Sequence, residues 1–150
     1  MRLAFLILSW VSLPAIACPN LVGNYKICRS STDPDSLSSI SVEQSIVNKY
    51  NQYTFTTYDS EGKKARVEKY IADGKTKVAT DTDADTGITM STRTLTTCKD
   101  NYLNIKMDAT LDSAPFANIT IKASKDNNQL IQVFSGVSMG EPVSDRIICE

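Results

Sequence analysis

Between residues 101 and 111 the chain changes character at every step. Leu103, Ile105, Met107, Ala109 and Leu111 fall on one side, and Tyr102, Asn104, Lys106, Asp108 and Thr110 on the other. A period of two sustained over that length is the pattern of a strand with one buried face. Residues 118–123 repeat it, with Ile119 and Ile121 inward, and residues 52–58 place Tyr53 and Phe55 on a shared face. β-branched and aromatic side chains fill these runs, as a pleated, half-buried surface prefers.

The punctuation between the runs agrees. Asp59-Ser60-Glu61-Gly62, Lys99-Asp100-Asn101 and Lys125-Asp126-Asn127-Asn128 are turn sequences, and Ala72-Asp73-Gly74-Lys75 carries the Asp-Gly pair, the strongest short-range signal for a hairpin. Residues 30–39 read as a polar loop and 136–142 as a further break. About eight to ten strands are predicted, near 21–28, 40–48, 52–58, 64–71, 75–80, 87–97, 101–111, 117–123, 129–135 and 143–149. Residues 41–48 also admit one or two helical turns, because Val42 and Ile46 stand four apart. Many short strands joined by hairpins make an all-β antiparallel meander. Closing or nearly closing it into a barrel removes the exposed edges that such a ribbon would otherwise present.

The start of the chain sets the compartment. A basic Met1-Arg2, an apolar run over 3–13 and Ala15-Ile16-Ala17 make the pattern of a cleaved secretory signal peptide, too short to span a bilayer. The expected organisation is a signal peptide over 1–17 and one β-barrel domain over 18–150, exported to the periplasm or the medium of a bacterial cell. All four cysteines (Cys18, Cys28, Cys98, Cys149) lie after the cleavage point, so two disulfides are expected. Four cysteines allow three pairings. Cys18–Cys28 with Cys98–Cys149 is the expected one, provided the chain folds back near residues 19–23. An extended path from 18 to 28 would separate the first pair by roughly 33 Å. Residues 13–18 also resemble a bacterial lipobox, with Ala15 where leucine is usual. Lipidation of Cys18 would anchor the protein to a membrane and leave an odd thiol, so the disulfide reading takes precedence.

Gly23-Asn24-Tyr25 is similar to the glycine-x-tryptophan element that opens the first strand of lipocalins, with Tyr25 in place of the tryptophan. Arg146, on the last strand, stands where lipocalin-like barrels often set a basic residue against that aromatic. The resemblance is to the wider calycin-like barrels. It implies an up-and-down barrel holding a small apolar ligand at its open end.

Composition argues against several chemistries. The net charge of −1 and the scattered lysines and arginines leave no footprint for nucleic acid. No histidine is present, so serine and cysteine dyads lack their usual base, and oxidised cysteines are not nucleophiles. The expectation is a protein that is not an enzyme and carries no cofactor. Asp81-Thr82-Asp83-Ala84-Asp85-Thr86-Gly87 imitates the first half of a calcium loop, but Thr86 stands where glycine is required and Thr92 where glutamate is. It reads as an acidic hairpin loop, and no metal site is predicted. Thr92, Thr94 and Thr96 form one row, read as a solvated strand face. Asn118-Ile119-Thr120 fits the glycosylation pattern but sits inside a strand, where a chance match is the simpler account. The tyrosines read chiefly as packing residues with wet hydroxyls.

The expected function is non-enzymatic binding of a small apolar or amphipathic ligand inside the barrel, carried by the inward side chains Tyr53, Phe55, Leu103, Ile105, Met107 and Phe134. The alternative is a protein–protein interaction module or inhibitor of the envelope, without a ligand cavity, whose contacts come from loops 30–39, 81–87 and 136–142.

Overall fold

A computed structural model describes residues 18–35 and 37–150. The leader expected over 1–17 lies outside the described residues. Ten strands follow one another: β1 (Gly23–Ser30), β2 (Ser38–Val47), β3 (Tyr50–Tyr58), β4 (Lys64–Ile71), β5 (Thr76–Thr82), β6 (Thr89–Lys99), β7 (Tyr102–Leu111), β8 (Ala114–Asp126), β9 (Gln129–Ser138) and β10 (Glu141–Cys149). No helix occurs among the described residues. Residues 41–48 belong to β2. Ile46 shares the face of Val42 but lies past the packed core, 67 % exposed, so their four-residue spacing does not mark a helical stripe. The break expected over 136–142 is shorter than its sequence suggests: β9 and β10 run to within the two residues Met139 and Gly140.

Every ladder is antiparallel, in the order β4-β3-β2-β1-β10-β9-β8-β7-β6-β5. The meander is therefore circular. Its first and last strands pair with each other, and the sheet curls into an open half-barrel whose free edges are β4 and β5. These two strands are neighbours in sequence, joined through the Asp-Gly pair that predicts a hairpin. The turn geometry explains the difference. The hairpins at Asn48-Lys49, Asp112-Ser113, Asn127-Asn128 and Met139-Gly140 hold both central residues at positive φ, as a type I′ turn requires. At the Asp-Gly pair only Gly74 has positive φ. Asp73 N–H instead donates to Ile71 C=O (2.9 Å) and Gly74 N–H to Thr96 C=O on β6 (3.1 Å), so β5 swings away from β4.

The core fills one end of the half-barrel. There the segment 18–22 crosses beneath the strands and puts Leu21, fully buried, into the interior. Burying a leucine side chain contributes about 1.5–3 kcal/mol. Three side chains fix the segment's carbonyls. Tyr53 Oη donates to Pro19 C=O (2.7 Å), Tyr25 Oη to Leu21 C=O (2.9 Å) and Lys125 Nζ to Val22 C=O (2.9 Å). Gly23 has a definite role here: a Cβ would stand 2.8 Å from the ring of Tyr25, so its absence lets that ring fold back over the backbone. The cation over Tyr25 is Lys125 from β8, 5.8 Å from the ring centre. Arg146, assigned that place by resemblance, is on the outer face beside Ile27 and Ile148.

The disulfides are Cys18–Cys98 and Cys28–Cys149, and the expected pairing is incorrect. Cys28 and Cys149 are directly opposite in the β1–β10 ladder, with Cα atoms 3.9 Å apart. That neighbourhood exists only because the chain ends meet, which no local spacing encodes. Cys18–Cys98 ties the crossing segment to β6. Two disulfides fit an oxidising extracellular or periplasmic setting, and no helix among the described residues is long and apolar enough to cross a membrane. The threonine row is also revised. Thr96 faces Ile105 and is 3 % exposed, and Thr94 and Thr92 continue its inward face.

Candidate functional site

Above the packed end the half-barrel encloses a cleft of about 260 Å³. Alternation builds its apolar wall. Inward positions two apart give Ile105 and Met107 on β7, and their cross-strand neighbours Ile121 on β8 and Phe134 on β9 continue the surface. Ile40 on β2, Phe55 on β3 and Ile147 on β10 complete it. Ser38, Thr57 and Gln132 add neutral polar atoms.

The opposite wall is the edge strand β4, and it is charged. Arg66, Glu68 and Tyr70 alternate along it and face inward. Arg66 Nη2 lies 2.7 Å from Glu68 Oε1, and Tyr70 Oη donates to the same oxygen at 2.9 Å. The Tyr70 ring meets Phe55 edge-on, with centroids 5.9 Å apart. Burial pushes the Tyr70 phenol up, and the Glu68 charge pushes it further, against a smaller opposing effect of Arg66. Tyr70 is thus held as a neutral donor that fixes the carboxylate. The Glu68 side chain is 27 % exposed and Arg66 69 %, so the pair has one side in the cleft and one in water. An exposed pair of this kind adds little to stability. Its effect is to place opposite charges at the rim of an apolar hollow.

Of the six residues expected to carry a ligand, Phe55, Ile105, Met107 and Phe134 line the cleft. Tyr53 and Leu103 do not. Both are fully buried one inward position deeper, in the layer that packs against the crossing segment. Sequence reasoning missed Arg66 and Glu68, because hydropathy along β4 favours the opposite face, that of Ala65, Val67 and Ile71. Val67 points outward and is 41 % exposed. The signal available was the aromatic partner: Tyr70, two positions along, fixes the parity that brings Glu68 and Arg66 inside.

The three loops of the alternative reading are tied down locally. Asp145 accepts hydrogen bonds from Ser30 Oγ (2.8 Å), Ser31 Oγ (2.8 Å) and Thr32 N–H (3.3 Å), which folds the loop after β1 onto β10. Burial acts to raise the Asp145 carboxyl, but these donors and Arg146 N–H outweigh it and the group is lowered. Asp83 accepts from Thr86 N–H (2.7 Å), Thr86 Oγ1 (2.8 Å) and Asp85 N–H (3.0 Å), which lowers its carboxyl and closes the acidic turn on itself. The loop over 136–142 reduces to the Met139-Gly140 turn.

No protein-family model matches the chain, and comparison with curated proteins and with solved structures returns no match.

Proposed function

We propose that the protein is an exported, non-enzymatic carrier of a small amphipathic molecule held in the cleft of the half-barrel. The observation that carries this reading is the two-sided wall: Ile105, Met107, Ile121 and Phe134 opposite Arg66 and Glu68, around about 260 Å³ of space. That volume is just below the range of small-molecule sites, roughly 300–1,000 Å³. It suits one short apolar group with a polar end at the β4 rim. The lipocalin-like reading enters here too, supported by the Gly23–Tyr25 arrangement at the packed end and the cleft beyond it, with Lys125 as the basic partner. Fold alone does not fix function, so the site is tested directly. Chain 18–150 contains no tryptophan, and Met107→Trp puts a single indole in the cleft. The unsubstituted chain is expected to enhance the emission of an anilinonaphthalene sulfonate probe, and the filled cleft of Met107→Trp to reduce that enhancement. Absence of enhancement with the unsubstituted, correctly folded chain refutes the proposal.

A further inference from the structure

Strand β5 is exposed along its whole length, with Val78 at 59 %, and it pairs on one side only, with β6. Its register with β6 is continuous from Thr76 to Thr82, without a bulge, and the strand contains no proline or glycine. Such an edge offers a row of free backbone donors and acceptors to another strand. The other free edge is less suited. β4 carries Lys64, Arg66 and Lys69 against Glu68 alone, and its ladder to β3 shifts register at Tyr58. β4 and β5 do not pair: a hollow of about 150 Å³ lies between Lys69–Ile71 of β4 and Lys77–Ala79 of β5, which leaves the β5 edge without a ladder partner.

The side chains of β5 indicate which strand fits there. Thr76-Lys77-Val78-Ala79-Thr80-Asp81-Thr82 is basic in its first half and acidic in its second. Laid antiparallel on itself about Ala79, it sets Lys77 opposite Asp81, Asp81 opposite Lys77, Thr76 opposite Thr82 and Val78 opposite Thr80. Opposite charges and β-branched pairs directly across a ladder are favourable, and like charges there are unfavourable. Moving the axis to residue 78 or 80 sets Lys77 or Asp81 against Ala79 and leaves charge pairs only with residues beyond the strand ends, Asp81 with Lys75 or Lys77 with Asp83. The axis at Ala79 is therefore the one of the three that keeps both pairs inside the seven-residue strand. Asp81 makes no ion pair among the described residues, and Lys77 reaches only its own Asp73, at 3.3 Å.

We propose that β5 is a self-association edge: two copies of the chain join β5 to β5, antiparallel, about a two-fold axis at Ala79, which makes one continuous sheet from two half-barrels. Identical patches related by a two-fold axis close the assembly at a dimer. A single strand pair buries less than the roughly 1,200 Å² of a standard stable interface, so the dimer is a weak one, set by concentration.

Sedimentation of the oxidised, exported protein between about 10 μM and 1 mM tests this, since weak interfaces fall in that range. Reversible dimerisation is expected, weaker at high salt. Lys77→Glu and Asp81→Lys each place like charges across the ladder twice and should weaken association about tenfold or more. An equimolar mixture of the two variants restores opposite charges at both positions and should dimerise again. A monomer at all concentrations, or dimerisation indifferent to both variants, overturns the proposal. So does hydrogen-exchange protection of both edges of β5 that is independent of concentration, because it would mean that β4 closes onto β5 within one chain.

Discussion

Replacing Cys28 and Cys149 together by alanine tests whether the ring of strands depends on a covalent link where its ends meet. The two residues are 121 positions apart. In the chain-entropy treatment, closing a loop of that length stabilises the fold by about 5 kcal/mol through the unfolded state. The Cys18–Cys98 bridge, spanning 80 positions, should give about 4.5 kcal/mol by the same relation. The entropic difference between the two is therefore only a few tenths of a kcal/mol, and any larger difference comes from the native state. Cys28–Cys149 lies in the shortest ladder, with three paired positions between β1 and β10, against ten between β6 and β7. The Cys28→Ala/Cys149→Ala protein is thus expected to lose at least as much as the other double variant. Urea titration followed by far-ultraviolet circular dichroism reads this. With a slope near 2 kcal/mol per molar, a loss of about 5 kcal/mol lowers the midpoint by about 2.5 M. Because whole domains are stable by only about 5–15 kcal/mol, such a loss would leave the protein marginal at best. A midpoint lowered by less than about 0.5 M, equivalent to about 1 kcal/mol, would refute the dependence of the terminal ladder on its bridge.

Two further outcomes follow from the packed end. Lys125→Met removes the hydrogen bond to Val22 C=O and the cation over Tyr25, and should cost about 1–2 kcal/mol in the same titration, whereas Arg146→Met on the outer face should cost under about 0.5 kcal/mol. Burial raises the phenols of Tyr25 and Tyr70 and pushes that of Tyr53 up to about 12. The fold therefore holds protons that the unfolded chain releases near pH 10. The stability these three groups contribute is complete below that pH and is lost as pH rises through the folded values. Absorbance at 295 nm should show their ionisation delayed to the alkaline unfolding transition, and three phenols that titrate freely in the folded protein near pH 10 would contradict the burial.

The ten strands could be read from the sequence because period-two runs in β3, β7 and β8 and the turn sequences between the others are both local signals, and the inward set on β7 and β8 followed from alternation alone. What could not be read depends on contacts between distant strands. The disulfides required knowing that β1 meets β10. The inward direction of Thr96, Thr94 and Thr92 required knowing that β6 faces Ile105 and Met107 across the ladder. The basic partner of Tyr25 was sought on the last strand, whereas the pleat turns Arg146 outward and β8 supplies Lys125. At the cleft, hydropathy located the apolar wall and failed at β4, where charged residues face inward beside open solvent.

The position of the opening has a physical cause. Joining β1 to β10 closes the longest loop in the chain and is the entropically costly pairing, while β4 and β5 are separated by four residues and would close most cheaply. The chain nevertheless makes the first contact and not the second. On the β1–β10 side the contact is rewarded: Cys28 and Cys149 are almost fully buried, Tyr25 and Leu130 pack into the same core, and the bridge reduces the entropy of the unfolded state. On the β4–β5 side little is gained. β5 would bring Val78 and Ala79 as its only apolar side chains, closure would desolvate Arg66 and Lys77, and the Asp73 N–H already has Ile71 C=O as its acceptor. The half-barrel is open where closure would bury the least oil and the most charge, and the charged wall of the cleft is on the strand that borders that opening.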